Sequence, residues 1–416
     1  MTNIEQSVRA PSASELLSAK AVRDRCHQVL AAAPELQCFR VHPDRLDGVA
    51  DYVIDTIRQN YPDLKVPFHA RWRHFNFAGV DRWREMAHSL DIDRDEMARI
   101  QLDLVVTSVL LDAGAGPNWR YFDPCTSTSY ARSEGLALAS LDSFQAGLFS
   151  SSADNKLIAD AAGLQAVTRE RLAAAFQVTQ DNPLDGLDGR AALMRALGDA
   201  LSAKPEFFSS ETPRIGGLYD WIKRTHSGSA HAASAQASDL LKMILSAFGS
   251  IWPGRLDVGG VNLGDTWQHP AVTCAGETDG LVPFHKLSQW LTYSLIEPLE
   301  DAGIRITGID DLTGLAEYRN GGLLVDLGVL EVRDAGALNE AHAPGDPLIV
   351  EWRALTVALL DLLAGAVRHK LDLDAQALPL ASVLEGGTWA AGRRVASQLR
   401  AHGGPPIRII SDGSVF

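Results

Sequence analysis

The chain has 416 residues, a formal net charge of −14 and a hydrophobic content of 46%. This length is long for one domain and short for three, so we expect a single large domain over residues 1–416, or two closely packed lobes without a clear boundary. The acidic balance argues against a dedicated nucleic-acid binder. It leaves room for one basic pocket that holds a small anion.

The cysteines and the start of the chain bear on the cellular compartment. The four cysteines form no CxxC pair, and their spacing matches neither a disulfide framework nor a zinc motif. The N-terminal sequence lacks the apolar core of a signal peptide, and no apolar run reaches the roughly 18 residues that a membrane span needs. We therefore expect a cytoplasmic protein with reduced thiols and no membrane contact.

Helical periodicity dominates the chain from its N-terminal part onwards. Apolar residues recur at helical spacing in 14–33, 44–60, 94–112, 155–178, 190–203, 236–249, 286–302, 348–370 and 388–402. Strand-like alternation is confined to 304–309 and 407–416. The pattern predicts a mainly α protein with few short strands.

The stretch 69–84, "HARWRHFNFAGVDRWR", interleaves cations with aromatic rings. His74 and several arginines alternate here with tryptophan and phenylalanine. Aromatic rings stack on a flat ligand and arginine binds phosphate through two parallel hydrogen bonds, so the composition favours a ligand with both features. The alternative is an amphipathic surface whose rings enter the core while the arginines extend to solvent.

The stretch 111–135 joins an apolar helix to a glycine-rich turn, "GAGPNWRY". Asp112 ends the helix, Trp119 follows in the turn, and Glu134 lies farther along. A carboxylate beside exposed backbone amides could form a pocket wall. The alternative is a helix stop followed by an ordered loop.

In "LVPFHKLSQW" (281–290), Pro283 can begin a helix and place His285 and Lys286 in its first turn. A helix N-terminus is electropositive, so an anion could bind there, with Gln289 on the same face as Lys286. The alternative is ordinary helix polarity.

The stretch 310–330, "DDLTGLAEYRNGGLLVDLGVL", holds Glu317, Tyr318 and Arg319 side by side. We predict two helices joined by a turn at 320–322, with Glu317 near the end of the first helix. The helix dipole disfavours a carboxylate at that end. Either Arg319 pairs with Glu317 for structural reasons, or the carboxylate has a chemical role.

Two further patterns could bind a ligand, one an anion and the other a metal ion. In 384–394, "LEGGTWAAGRR", the glycine pair and Thr388 could precede a helix and cradle an anion, or form a capped turn. His74, His269, His285 and Glu317 could converge on a divalent metal, but no HxxxH or HExxH spacing supports this. We expect no required cofactor. The chain also lacks the GxSxG, GxGxxG and P-loop motifs.

Several of these strings resemble known families, in the same order along the chain. "LTGLAEYRNGG", "VPFHKLSQW", "HFNFAGVDRW" and "EWRALTVALLD" are similar to elements of the queuosine-salvage nucleotide N-glycosidases. Nearly the whole chain resembles the protein family encoded with the ring-opening uracil-catabolism genes of fungi and bacteria. That resemblance includes "DAGAGPNWRY", "RSEGLALASLDSF", "LEGGTWAAGR" and the ending "SDGSVF".

The queuosine resemblance implies a helical, DNA-glycosylase-like architecture and hydrolysis of an N-glycosidic bond in a nucleotide. The catalytic aspartate of that family matches Glu317 here, whose side chain is one methylene longer. The lysine match implies that Lys286 contacts phosphate.

From the resemblance we expect an N-ribohydrolase of uracil catabolism. It would cleave the ribose C1′–N bond of ribosylurea phosphate or of a pyrimidine nucleotide such as UMP. Glu317 would be the catalytic carboxylate, and Asp112 or Glu134 the second acid–base group. The expected substrate-binding residues are Lys286, Arg319, Tyr318, Gln289, His285, His74, Asn76, Phe77 and Trp119. The alternatives are a non-catalytic nucleotide-binding or scaffold protein, and a metal-dependent hydrolase or lyase.

Overall fold

The computed structural model describes residues 11–77, 79–209, 211–226, 233–252 and 256–410. The ending "SDGSVF" and the centre of the polar piece 225–238 therefore lie outside the described residues. Within the described part, no helix combines the length and the apolar character needed to cross a membrane.

Helices make up most of the described chain, so the mainly α prediction is confirmed. The α-helices are α1 (Ala19–Ala31), α2 (Leu46–Asn60), α3 (Arg82–His88), α4 (Arg94–Leu110), α5 (Arg132–Gln145), α6 (Ala161–Gln165), α7 (Arg169–Ala175), α8 (Leu187–Ala203), α9 (Pro205–Phe208), α10 (Gly217–His226), α11 (Ala237–Phe248), α12 (Lys286–Asp301), α13 (Tyr318–Asp326), α14 (Pro347–Leu371), α15 (Leu380–Ser382) and α16 (Ala390–Leu399). A π-helix, Val383–Trp389, joins α15 to α16. The 3₁₀ turns are Ala13–Leu16, Ala33–Glu35, Pro43–Arg45, Arg71–Phe75, Gly249–Ile251, Ile309–Asp311 and Ala335–Asn339.

The strands are short and pair two by two. They are β1 (Phe39–Val41), β2 (Asn76–Phe77), β3 (Val80–Asp81), β4 (Tyr121–Asp123), β5 (Thr128–Tyr130), β6 (Ser234–Gln236), β7 (Asp257–Val258), β8 (Val261–Asn262), β9 (Thr266–Gln268), β10 (Leu281–Pro283), β11 (Arg305–Thr307), β12 (Leu330–Val332), β13 (Ala341–His342) and β14 (Arg408–Ile409). The pairs β6–β11 and β13–β14 are parallel, and the other pairs are antiparallel. Both predicted strands exist, as β11 and β14.

Three long helices, α4, α12 and α14, form the interior. α12 packs against α4 and α11, while α14 packs against α1, α2 and α13. Both α12 and α14 are buried over most of their length because their apolar residues face neighbours on nearly all sides. One continuous hydrophobic core includes residues from all three. The single-domain organisation stays a prediction.

The predicted helix over 155–178 is two helices in the structure. α6 ends at Gln165, and the Thr168 side chain accepts a hydrogen bond from the Arg171 amide to begin α7. A capping threonine inside an apolar pattern therefore restarts the helix in a new direction. α5 and α10 were not predicted.

The hairpin predicted for 310–330 is wrong. Residues 312–316 form no helix, and α13 begins directly after Glu317. The glycine pair lies inside α13 rather than in a turn. A Cβ on Gly321 would come within 2.7 Å of Trp352 Nε1, so glycine here permits close packing of α13 on α14.

Candidate functional site

Glu317 is the N-cap residue of α13. Its two carboxylate oxygens accept hydrogen bonds from the backbone amides of Arg319, at 3.0 Å, and Asn320, at 2.5 Å. Aspartate, asparagine, serine and threonine are the usual caps, so a glutamate that reaches back to two amides is uncommon. The carboxylate therefore lies at the positive end of the helix dipole, the reverse of the predicted position. Its orientation is fixed by the backbone.

Lys286 is the first residue of α12, and Asp265 anchors this helix start. The Asp265 carboxylate accepts from the Lys286 amide at 3.2 Å and from both terminal nitrogens of Arg353 at 2.8 and 2.7 Å. Burial raises the pKa of Asp265, but the Arg353 guanidinium more than offsets this and holds it below its usual range. The start predicted at Pro283 is three residues early, because 281–283 pairs with β9 as a strand.

The charges of two predicted catalytic carboxylates act on the Lys286 ammonium. Burial lowers the pKa of Lys286, and the nearby charges of Glu317 and Asp112 oppose that effect. Lys286, Glu317 and Asp112 therefore share one electrostatic neighbourhood, although they come from three separate parts of the chain. A half-buried lysine whose pKa is shifted by its surroundings and by neighbouring carboxylates marks a candidate functional site.

The Arg319 guanidinium stacks on aromatic rings. Its guanidinium carbon lies 4.2 Å from the Trp389 ring centroid and 5.5 Å from that of Tyr318. Burial lowers the pKa of Arg319, but Tyr318 and Glu317 raise it by more, so the guanidinium is a firmly charged group in the interior. A side-chain pair of Arg319 with Glu317 was one of the two alternatives; among the described contacts, it is the Arg319 backbone amide that donates to Glu317.

Asp112 and Glu134 each pair with an arginine. Arg71 is fully buried, and its Nη1 donates to Asp112 Oδ2 at 2.5 Å while its Nε donates to Ser108 at 2.7 Å. Arg393 Nη1 donates to Glu134 Oε1 at 2.5 Å at a more exposed position. The charges of both carboxylates also raise the pKa of Arg319. They therefore belong to the same neighbourhood as Glu317.

A cage of four rings adjoins these charges. His69, His74, Trp290 and Trp389 have ring centroids 5.6 to 6.4 Å apart in the contacting pairs. His69 Nδ1 and Glu385 Oε2 are 2.6 Å apart, and both side chains are largely buried. Glu385 lies in the π-helix, an irregularity that is frequent at functional sites.

Sequence reasoning singled out His74 in this cage but not the other members. His69 begins the aromatic–cation stretch, Trp290 ends "LVPFHKLSQW", and Glu385 and Trp389 lie in "LEGGTWAAGRR". The segments were therefore recognised, while the spacing within each carried no signal for the individual residues. The predicted anion cradle at the glycine pair 386–387 is wrong, since both glycines lie inside the π-helix and face side chains of 53–66.

Other predicted binding residues serve the scaffold in this structure. The Gln289 amide donates to Thr313 Oγ1 at 2.6 Å and accepts from the Thr313 amide at 2.9 Å, which holds the segment leading to Glu317. His285 is buried, has a left-handed φ of 47°, and its Nε2 contacts the Leu16 carbonyl at 2.9 Å. Trp119 is fully buried and donates to the Phe176 carbonyl.

Phe77 and Asn76 form strand β2. The Phe77 ring packs on Tyr130 with a centroid distance of 4.9 Å, whereas Asn76 is exposed. Neither is placed against Glu317 by a contact of the described residues.

In the described part of the chain, no three histidine, cysteine or acidic side chains gather closely enough to hold a metal ion. The Nε2 atom of His269, one of the candidate metal ligands, lies 3.4 Å from Glu351 Oε2. Glu351 in turn binds the backbone of β1.

The chain is similar to known proteins over nearly its whole length. Residues 15–416 match the family described as a protein of unknown function, DUF1688. The chain is 39% identical over 414 residues to Protein urg3 of Schizosaccharomyces pombe, covering 97% of this chain and 98% of that protein. It is 38% identical over 411 residues to Uracil catabolism protein 4 of Lachancea kluyveri, covering 91% and 92%. The resemblance to a uracil-catabolism family is thus confirmed, and the chain belongs to the DUF1688 family.

Proposed function

We propose that this protein acts in pyrimidine catabolism as an N-ribohydrolase, with ribosylurea phosphate or a pyrimidine nucleotide such as UMP as substrate. The observation that carries the proposal is the Glu317 carboxylate, held by two backbone amides near two cations, the half-buried Lys286 and the buried Arg319. The name of the Lachancea kluyveri relative, Uracil catabolism protein 4, supports the pathway.

The carboxylate suits the sugar end of such a reaction. Cleavage of a glycosidic bond passes through a transition state with positive charge at C1′, which an oriented anion stabilises. The two amides that hold Glu317 limit its rotation, so little reorganisation is needed when charge develops. Glu317 would also accept a proton from the attacking water.

The two cations suit a phosphate. Arg319 offers a planar set of donors and is held in place by stacking on Trp389. Lys286 adds a compact positive charge close to Glu317. Binding the phosphate with both would place C1′ at a fixed distance from the carboxylate, which is a positioning effect.

The bond changes balance with one water molecule. The C1′–N bond breaks, the water hydroxyl ends on C1′, and the remaining proton ends on the leaving nitrogen. The products are ribose 5-phosphate and urea from ribosylurea phosphate, or ribose 5-phosphate and uracil from UMP. Asp112 and Glu134 are already bound to Arg71 and Arg393, so we assign them to the positioning of these guanidinium groups.

The test is to incubate the protein with ribosylurea phosphate, UMP and a panel of other ribonucleotides, and to measure ribose 5-phosphate. We expect release from the ureido or uracil compound, and loss of release in Glu317→Gln. Activity that disappears on chelation would favour the metal-dependent alternative. Tight binding of UMP without any release would favour a nucleotide-binding protein and contradict the hydrolase.

A further inference from the structure

Three buried polar atoms, two in the ring cage and one on the adjoining Arg71, lack a hydrogen-bond partner among the described residues. They are Arg71 Nη2, His74 Nδ1 and Trp290 Nε1. Their side chains are 0%, 7% and 6% exposed. Native proteins leave few buried polar atoms unpaired, because each costs about 1–3 kcal/mol. Three such atoms in one cluster therefore point to a ligand.

The three side chains face one another across a short distance. The Arg71 guanidinium carbon lies 5.7 Å from the Trp290 ring centroid, and the His74 and Trp290 centroids are 5.8 Å apart. Arg71 and His74 come from the same 3₁₀ turn, while Trp290 comes from the second turn of α12. Trp290 therefore packs against both of the other side chains in one small cluster.

The charges here favour a neutral ligand group over a phosphate. Asp112 already balances the Arg71 charge through its contact with Nη1. Burial lowers the pKa of His74 well below 6.5, and the charge of Arg71 lowers it further, so this ring is neutral near physiological pH. Between Arg71 and His74 a phosphate dianion would meet a guanidinium already paired with Asp112, a neutral ring and the Asp112 carboxylate itself. The charge of Arg319, which also lowers the pKa of His74, remains available for the phosphate in the adjoining site.

The hydrogen-bonding pattern is specific. Arginine Nη2 and tryptophan Nε1 are donors only, whereas one nitrogen of a neutral histidine is an acceptor. Two donors beside one acceptor match a carbonyl oxygen with an N–H next to it. Ureido groups and the N3 edge of uracil have this pattern. Cytosine has no carbonyl oxygen beside an N–H, because its N3 carries no hydrogen, and its neighbouring acceptor and donor are N3 and the 4-amino group, displaced by one position along the edge.

We propose that Arg71, His74 and Trp290 form the subsite for the leaving group, with Nη2 and Nε1 donating to a carbonyl oxygen and Nδ1 accepting from the adjacent N–H. This deepens the proposed function and rests on it. The subsite adjoins the phosphate-binding cations, because the Trp389 ring lies 5.7 Å from His74 and contacts Arg319 on the same cage. The substrate class is a neutral ureido or uracil group on ribose 5-phosphate.

The test measures binding without turnover. The probes are the carbocyclic analogues of UMP and CMP, in which a methylene replaces the ring oxygen so that no oxocarbenium ion can form, and ribose 5-phosphate. We expect wild type to bind the UMP analogue more tightly than the CMP analogue in calorimetry. Trp290→Phe keeps an aromatic ring and removes the N–H donor. It should weaken binding of the UMP analogue about five- to tenfold and leave the affinity for ribose 5-phosphate unchanged.

A second pair of variants probes the acceptor. His74→Leu should abolish the preference for the UMP analogue over the CMP analogue, while His74→Asn, which keeps an acceptor near Nδ1, should retain part of it. Trp72→Phe is the matched control. Trp72 lies in the same turn, but its Nε1 already donates to the Ser294 carbonyl at 2.7 Å. It should lower the melting temperature and leave the ratio of the two analogue affinities unchanged.

Equal weakening of ribose 5-phosphate and the UMP analogue by Trp290→Phe would overturn the subsite, as would equal wild-type affinity for the two analogues. Either result can occur while ribose 5-phosphate release proceeds, so it leaves the hydrolase standing. Selective weakening in a protein that releases no ribose 5-phosphate would keep the subsite and remove the hydrolase.

Discussion

Glu351 and Glu317 each accept hydrogen bonds from two backbone amides, but their surroundings differ. Glu351 in α14 is 3% exposed, and its Oε1 accepts from the amides of Cys38 and Phe39 at 3.1 and 2.8 Å. These amides are 313 and 312 residues away in the chain. Glu317 accepts from amides two and three residues away, at a half-buried helix start.

The difference separates a structural carboxylate from one available for chemistry. Glu351 joins β1 to α14, so its hydrogen bonds exist only in the folded protein and contribute to tertiary stability. Glu317 makes local bonds that a helix start provides by itself, while its surroundings are the cations of the candidate site. We therefore expect substitutions at the two positions to act on different properties.

The largest expected effect is loss of activity in Glu317→Gln. An uncharged amide cannot stabilise a cationic C1′ or take a proton from water, so kcat/KM should fall about a thousandfold. The glutamine can still accept one of the two amide bonds, and the unfolding free energy should fall by only about 1 kcal/mol. Ribose 5-phosphate release and urea denaturation measure the two quantities. Full activity in this variant would remove Glu317 from the mechanism.

Glu351→Ala should show the opposite pattern. It leaves two backbone amides and His269 without their acceptor in the interior, so the unfolding free energy should fall by about 3 kcal/mol. Activity per folded molecule should stay close to that of wild type. Glu351→Gln, which retains one acceptor, is the control and should lose less stability. A large activity loss at unchanged stability would contradict the distinction.

Glu317→Asp sharpens the comparison, because aspartate is the better helix cap and also the residue of the resembling queuosine family. The unfolding free energy should be maintained or rise slightly. The carboxylate withdraws by about one bond length, and a displacement of about 1 Å can cost about a hundredfold in rate, so we expect kcat/KM to fall by about ten- to a hundredfold. An aspartate variant as active as wild type would show that the longer side chain has no chemical purpose.

The sequence predicts the helical scaffold well and the site in part. Amphipathic helices such as α2 and α11 carry a periodic signal, and α4, α12 and α14 are marked by long stretches rich in apolar residues. Glu317, Lys286 and Arg319 were found because they lie in strings that match other families. The shared string "EWRALT" proves to be scaffold, since Glu351 holds β1 and Arg353 holds Asp265.

The remaining features depend on contacts that no local pattern encodes. His69 and Glu385 are 316 residues apart in the chain and meet only after folding. The glycine pair 321–322 failed as a turn signal because glycine also serves close helix packing, and one sequence cannot distinguish the two uses. Gln289 and His285 have hydrogen-bond partners within the described residues, whereas His74 Nδ1 has none. This difference depends on the folded structure and cannot be read from the sequence.

The smallest expected effect concerns the pH dependence of phosphate binding. Burial lowers the pKa of Lys286 from 10.5, so the ammonium loses its proton at a lower pH than an exposed lysine does. The affinity for ribose 5-phosphate should therefore fall as pH rises through this lowered pKa. Lys286→Arg stays charged and should lose this decline, while Lys286→Met should bind weakly at every pH. Lys370→Arg, at a surface lysine paired with Asp47 and Asp51, is the control and should keep the wild-type profile. If the affinity of Lys286→Arg still declined with rising pH, the decline would come from another group. Lys286 would then lose its proposed role in binding the phosphate.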